Sequence, residues 1–356
     1  MCVAGLFAVD GTVVSVESLE RGHIHHTFIV SWETAEGPVR TLVQRINDHV
    51  FQDVPGLMHN VEQVTGHLRQ ASWRAVGDIE TLTLIPSRKG RAYVRDELGC
   101  WRCYRFVEGT RTFDRCVGPD QAYAAAFAFG NFQARLLDLD PRGLVETIPD
   151  FFSAPFRLRQ FDAALWADPE ERAAEAKASI EFVQERRRDV DVMEHGLTQG
   201  RIPLRAIHGD TKLNNILFDE VSGQPRCIVD LDTCMPGWSL YDFGDLVRFT
   251  AATAAEDEPD LSLVGVDMGL YQALSEGWLE STNAFMTHDE VELMPFAARL
   301  VTLTIGIRFL TDHLAGDTYF RVHRRGHNLD RARVQFEMVR QMESRFKTAG
   351  GSAASA

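Results

Sequence analysis

In the stretch IHGDTKLNNILFD (207–219), His208, Asp210, Lys212 and Asn215 crowd directly ahead of the apolar run Ile216-Leu217-Phe218. Ionisable and polar groups beside a buried strand are costly unless each has a partner or a task. A turn-rich DEVSGQP follows, then a second apolar run, RCIV, ending at Asp230-Leu231-Asp232. If the two runs pair as a hairpin, its beginning and end lie side by side, which makes Asn215 and Asp230 neighbours. An amide oxygen and a carboxylate are the hard ligands that Mg²⁺ prefers, with water and phosphate oxygens completing its octahedron. Asp210, in the loop leading into the hairpin, can face an incoming hydroxyl, and Lys212 can stabilise charge on a transferring phosphoryl group. A base, a metal pair and a phosphate cation are the parts of an ATP-dependent phosphoryl transfer. His208 is expected to brace the loop through hydrogen bonds. Each residue alone is ordinary in a turn; the conjunction of loop spacing, hairpin and terminal Asp carries the reading.

The elements that must hold these groups divide into two kinds. The first hundred residues carry short β-rich runs, GTVVSVESL, HTFIVSWET, VRTLVQRI, TLTLIPS, RAYVRDE and WRCYRFVEG. One helical stretch interrupts them, VPGLMHNVEQVTGHLRQAS, with Leu57, Val61, Val64 and Leu68 on one face. From about residue 119 the pattern turns helical, with segments expected near 119–140, 157–167, 169–194, 240–252, 265–280, 288–314 and 328–347. The division predicts an α+β protein: a β-rich N-lobe over 1–107, a larger helical C-lobe over 108–347, and a disordered tail, TAGGSAASA, over 348–356. A cleft between the two is a natural ligand site.

Composition limits the partners. Lys plus Arg number 37 against 51 for Asp plus Glu, a net charge of −14, which disfavours a nucleic-acid backbone or an anionic membrane surface. The start MCVAGLFAVDGTVV has no basic leader, and the most apolar stretch, LVTLTIGIRFL, is cut by Arg308. The expectation is a soluble, cytoplasmic protein. Of six cysteines, Cys100 and Cys103 have redox-motif spacing within CWRC. On a strand, however, residues three apart face opposite sides, so these are expected to be packed, reduced thiols.

IHGDTKLNN followed by CIVDLD and SLYDFGDLVRF resembles the catalytic segments of the aminoglycoside phosphotransferase/choline kinase superfamily, which shares the two-lobed protein-kinase-like fold. Together with RGHIHHTFIV, LVQRIND, NVEQVTGHL and IRFLTDHLAGDTYF, they resemble the N-acetylhexosamine 1-kinases over about residues 15 to 345. The resemblance implies transfer of the γ-phosphate of ATP to the anomeric hydroxyl of GlcNAc or GalNAc. It gives Asp210 the role of base and Asn215 and Asp230 that of Mg²⁺ ligands. Asp232 becomes a second metal or substrate contact, and Asp242 fixes the catalytic loop from below. His23, Arg308 and Tyr319 fall where the sugar is expected, and their side chains can hydrogen-bond sugar oxygens. A structural alternative for Arg308 is an ion pair with Asp312, four residues on.

The N-lobe departs from the kinase pattern. Only Gly22 marks a phosphate-loop turn, in LERGHIHH. The third-strand Lys is replaced by Gln44 or Arg45, of which alternation turns one toward the cleft; Arg45 could pair with Glu62 on the helix. Adenine is expected against the connector Phe106-Val107-Glu108. IPDFFSAPFRL (148–158) stands where a more polar run is expected, which implies a more apolar acceptor pocket. Two other readings stay open: a kinase of the same fold for another sugar, an aminoglycoside, choline or homoserine, and a nucleotide-binding pseudokinase. A cationic acceptor would draw on Asp232, Asp245 and the acidic AEDEPD run.

Overall fold

The computed structural model describes residues 3–19, 24–70 and 79–350, with side chains to 346. The strands β1 (Gly11–Leu19), β2 (His26–Thr34) and β3 (Gly37–Ile46) form an antiparallel meander. It is followed by helix α1 (Val54–Gln70) and by β4 (Tyr93–Asp96) and β5 (Gly99–Arg105). These complete a five-stranded antiparallel sheet of order β1-β2-β3-β5-β4. TLTLIPS does not join the sheet as a strand; it contributes two isolated bridges, Leu84 with Tyr104 and Ser87 with Phe7.

After β6 (Thr110–Arg111) come the helices α2 (Pro119–Arg135), α3 (Ala154–Ala167), α4 (Lys177–Glu185) and α5 (Val192–Thr198). The single helix expected over 169–194 is thus two, parted by a 3-10 turn at Arg187–Asp189. Arg186 leaves the helix to pair with Glu343 and Arg187 to pair with Asp162, so tertiary ion pairs compete with helix continuation. Next are β7 (Arg205–Ile207), β8 (Ile216–Asp219), β9 (Pro225–Ile228) and β10 (Met235–Gly237). The chain ends with α6 (Ser239–Thr250), α7 (Met268–Thr282), α8 (His288–Leu314) and α9 (His327–Gly350). α9 therefore continues through 348–350, the first residues of the expected tail; 351–356 lie outside the described residues.

The two faces of the sheet have separate cores. Val30, Trp32, Val43, Trp101 and Cys103 pack with Ala4, Phe7 and Val9 on one face. The other face, with Ile46, Cys100 and Tyr104, joins α1 and the helical region in one continuous cluster. Cys100 and Cys103 accordingly point to opposite sides of β5, and both are free thiols. Helices α2 and α7 approach closely: a Cβ at Gly277 would stand 2.3 Å from the Tyr123 carbonyl oxygen. α6 lies at the centre, with Leu240, Phe243, Leu246 and Val247 fully buried. α8 is long and apolar enough to cross a membrane, yet 67% of that window is buried within this fold. Its start is a capping box, Thr287 with Glu290, and the same Glu290 pairs with Arg205 of β7, which ties α8 to the strand entering the catalytic loop.

Candidate active site

β8 and β9 pair antiparallel, Ile216 with Ile228, and the Val229 N–H donates to the Asn215 carbonyl at 2.9 Å. This hairpin is what brings Asn215 beside Asp230. Asp230 itself turns the chain in a left-handed conformation, φ 63°.

Upstream, β7 pairs with β10, Ile207 with Met235, and delivers His208 into a loop held from beneath by α6. The Asp242 carboxylate accepts the N–H groups of His208 (2.8 Å) and Gly209 (2.7 Å) and the Gln133 amide (2.6 Å). Its carbonyl accepts the Thr211 hydroxyl at 2.5 Å. His208 is fully buried between the edges of Phe129 and Phe132. Its Nε2 lies 3.0 Å from the Val229 carbonyl and its Nδ1 accepts the Asp210 N–H at 3.3 Å. A carbonyl cannot donate, so these partners assign the proton to Nε2 and a neutral, bracing imidazole. Gly209 sits at φ 81°, where a Cβ would meet Phe152 at 2.6 Å and the Thr233 carbonyl oxygen at 2.7 Å.

Asp210 faces the cleft with Lys212 Nζ at 2.8 Å, and Asn215 Nδ2 donates to its carbonyl (2.8 Å) and carboxylate (3.1 Å). Burial works to raise the Asp210 pKa, but the Lys212 ammonium and the Asn215 amide outweigh it, and the carboxyl lies below its usual range. Lys212, partly desolvated, is held protonated by Asp210. Asp230 behaves oppositely. Crowding by protein, then by Asp232 and Asp210, pushes it up to about 6, although its side chain opens to solvent at the rim.

The chemistry of this donor pair fits a divalent cation. Asn215 spends its amide nitrogen on Asp210, which leaves Oδ1 to coordinate, and Asp230 has no hydrogen-bond donor or ion-pair partner among the described residues. No cluster of three or more His, Cys, Asp or Glu groups suited to a metal occurs among the described residues. Such a cation would therefore take its other ligands from phosphate and water, the arrangement Mg²⁺ tolerates.

Other expected site residues stand elsewhere. Asp232 is not free for sugar or metal: it is 2% exposed, and its carboxylate is gripped by Arg102 and by His25 Nε2. Burial works to raise its pKa, but Arg102 and His25 hold it far below the carboxylate range. Of the two third-strand candidates, Gln44 lies on the face of the sheet that carries Arg102, accepting Arg102 Nε at 3.0 Å and donating to Thr27 Oγ1 at 3.1 Å. Arg45 is exposed on the opposite face against Gly99, because strand alternation turns neighbours apart. Glu62 points to solvent and forms no ion pair among the described residues; the inward polar group of α1 is Asn60, which binds the Val145 and Cys234 carbonyls at 2.7 and 2.9 Å. Gly22 and His23 lie outside the described residues, whereas His25, two positions on, reaches the site.

In the connector, Arg40 stacks over Phe106 at 4.2 Å and pairs with Glu108. The Val107 and Glu108 carbonyls accept Thr110 Oγ1 (3.0 Å) and Arg226 (3.1 Å), so these two carbonyls already have protein partners. Arg308 does not pair with Asp312, whose carboxylate accepts the N–H groups of Thr318, Tyr319 and Phe320 at 2.9, 2.7 and 2.9 Å. Instead it stands among the rings of Phe151, Tyr319 and Phe320 at 5.2, 5.9 and 5.5 Å. The segment 148–158 is apolar at Phe151 and Phe152, as expected, but also supplies a half-buried Arg157. Arg102, His25 and Arg157 are the groups that sequence reasoning missed. Arg102 had a signal, since alternation along β5 puts it on the face of Cys100 and Tyr104.

The sequence pattern of the phosphotransferase enzyme family (APH) matches residues 15–274. Among solved structures, the chain is similar to a microcompartment-associated aminopropanol kinase (16% identity, 98% and 96% of the two chains covered, TM-score 0.58). It is also similar to an aminoglycoside phosphotransferase from Alicyclobacillus acidocaldarius (12%, 98% and 95%, 0.56) and to choline kinase from Cryptosporidium parvum (14%, 94% and 90%, 0.56). At these identities the likeness shows the shared kinase-like fold, a β-sheet N-terminal region on a helical C-terminal region. With the family pattern spanning most of its length and the catalytic loop built as described, the chain belongs to the APH phosphotransferase family.

Proposed function

We propose that this phosphotransferase uses ATP and Mg²⁺ to phosphorylate a sugar hydroxyl, the anomeric hydroxyl of an N-acetylhexosamine, in the cytoplasm. The observation that carries this reading is the charge balance around the acceptor side. The relatives named above act on aminopropanol, aminoglycosides and choline, and a cationic acceptor needs free carboxylates. Here Asp232 is taken by Arg102 and His25, Asp245 by Arg248 at 2.8 Å, Glu256 by Arg248 at 3.2 Å and Asp257 by His327 at 3.0 Å, while Glu258 and Asp260 accept only neighbouring N–H and hydroxyl groups. Arg308, Tyr319 and the Phe151-Phe152 pair offer instead a guanidinium, a phenol and ring faces, which suit sugar oxygens and the apolar face of a pyranose.

In this reading Asn215 and Asp230 hold the cation, which when bound neutralises charge on the triphosphate. Asp210 accepts the hydroxyl's hydrogen bond and aims its oxygen. A carboxylate of lowered pKa is a weak base but a good orienting acceptor, and an anomeric hydroxyl, more acidic than an ordinary alcohol, needs less of a base. Lys212 keeps Asp210 ionised and stands ready for charge developing on the phosphoryl oxygens. Gln44 and the Phe106–Glu108 connector border the nucleotide.

The test is incubation of the purified protein with ATP, Mg²⁺ and a panel of sugars and amino alcohols, with products read by phosphorus NMR. An anomeric phosphate on GlcNAc or GalNAc supports the proposal. Product only on an amino alcohol or aminoglycoside overturns the acceptor assignment, and bound ATP with no product on any acceptor overturns transfer itself.

A further inference from the structure

Two arginines meet beside the catalytic loop with no carboxylate between them. Arg308, on α8, makes no hydrogen bond and no ion pair among the described residues; its neighbours are ring faces. Arg157, on α3, donates Nη1 to Gln160 at 2.9 Å and Nη2 weakly to the Phe151 carbonyl at 3.5 Å, while its Nε is buried with no partner. Phe151 joins them, its carbonyl under Arg157 and its ring under Arg308. The path from there to the chemistry is short. Phe151 contacts Phe152 with ring centroids 5.1 Å apart, and Phe152 packs where Gly209, next to Asp210, leaves room.

Asp150, exposed on the same segment, raises the Arg157 pKa only slightly and forms no ion pair with it. Burial and the like charge of Arg308 bring Arg157 down to about 10. A half-buried guanidinium that faces a like charge is a cost that a fold bears poorly unless something neutralises it. Guanidinium forks match the oxygens of a carboxylate or phosphate in bidentate geometry. A neutral sugar would leave both charges unpaired.

We propose that the acceptor carries an anionic group, a carboxylate or a phosphate, that binds between Arg157 and Arg308. This rests on the phosphotransferase reading above and names its substrate class as an acidic sugar. The anion anchors the ring away from the reacting hydroxyl, so the two arginines position the acceptor and set its specificity.

The experiment is calorimetric titration of the full chain, with a non-hydrolysable ATP analogue and Mg²⁺ present. The probes are N-acetylglucosamine, N-acetylglucosamine 6-phosphate and N-acetylglucosaminuronate, and the same three are assayed for phosphoryl transfer. At least one acid is expected to bind tenfold or more tightly than the neutral sugar, and which acid does so separates phosphate from carboxylate. Arg157→Gln and Arg308→Gln should each cut that preference roughly tenfold to a hundredfold, the worth of a charge-assisted hydrogen bond. Each should also raise the Tm of the unliganded protein, because the repulsion is gone; a merely structural arginine would lower it. Equal binding of neutral and acidic sugars, absence of binding by both acids, or variants that raise KM for ATP in place of KM for the acceptor would overturn the proposal. Acidic sugars that bind through the arginines yet are never phosphorylated would defeat the transfer reading alone. A neutral sugar turned over as well as the acids would defeat the anion reading alone.

Discussion

At the scale of single residues, the site separates groups that act through charge from groups that act through position. Asp210 and Asp230 are both carboxylates near Lys212, but one lies below its ordinary pKa range and the other is pushed up to about 6. The difference is a direct partner: Asp210 has Lys212 at 2.8 Å, while Asp230 faces two like charges. Asp210→Asn keeps the shape and the amide contacts but removes the acceptor for the hydroxyl proton. Its kcat should fall roughly 10²- to 10⁴-fold with nucleotide affinity nearly unchanged; unaltered turnover would remove Asp210 from the mechanism. These residues were legible because all of them lie within one loop and one hairpin, where spacing along the chain fixes spacing in space. Arg157 and His25 were not, since each reaches the region from an element far away in sequence; for Arg102 alternation along β5 gave the face but not its partner Asp232.

At the scale of elements, α6 holds the loop that carries Asp210 by hydrogen bonds, and Phe152 packs against it at Gly209. Gly209→Ala introduces both a left-handed backbone penalty and a clash with Phe152 and the Thr233 carbonyl. A loss of roughly 1–3 kcal/mol is expected, read as a lower Tm, together with a drop in kcat as Asp210 shifts. A variant with wild-type Tm and turnover would show that the loop tolerates displacement. The strands and helices with clean periodicity, such as β2, β3 and α1, were readable from the sequence. TLTLIPS was not: its alternation suits a strand, yet it finds only isolated bridges, Leu84 to Tyr104 and Ser87 to Phe7. The break between α4 and α5 was likewise invisible, because it depends on where Glu343 and Asp162 stand.

At the scale of the whole molecule, Asp232 joins the sheet to the helical region. Its partners Arg102 and His25 belong to β5 and to the lead into β2, so a residue that reads as a ligand serves as a clamp. Removing one side alone is expensive: Arg102→Met strands a buried carboxylate and should cost about 3–5 kcal/mol, most of it recovered when Asp232→Leu is added. The pH dependence has a definite sign. Because the folded-state pKa of Asp232 lies below the unfolded value of about 3.9, its contribution is present at neutral pH and is lost as the pH falls below about 4–5. Tm measured from pH 7 to pH 3 should fall less steeply for Asp232→Asn than for the wild type, from a lower starting point. Parallel curves would mean that the clamp adds no acid sensitivity.

The separate cores on the two faces of the sheet also make the protein report on its own breathing. Cys100 and Cys103 lie three residues apart on one strand but are buried in different clusters, and burial pushes Cys103 up to about 12. A thiol reagent reaches either sulfur only when its own face opens. Labelling each with the other replaced by Ala times the two openings independently. Nucleotide bound beneath the sheet should slow Cys100 more than Cys103, whereas equal slowing would show that the sheet opens on both faces at once. A motif with the spacing of a redox pair thus becomes a pair of clocks, one for each side of the same strand.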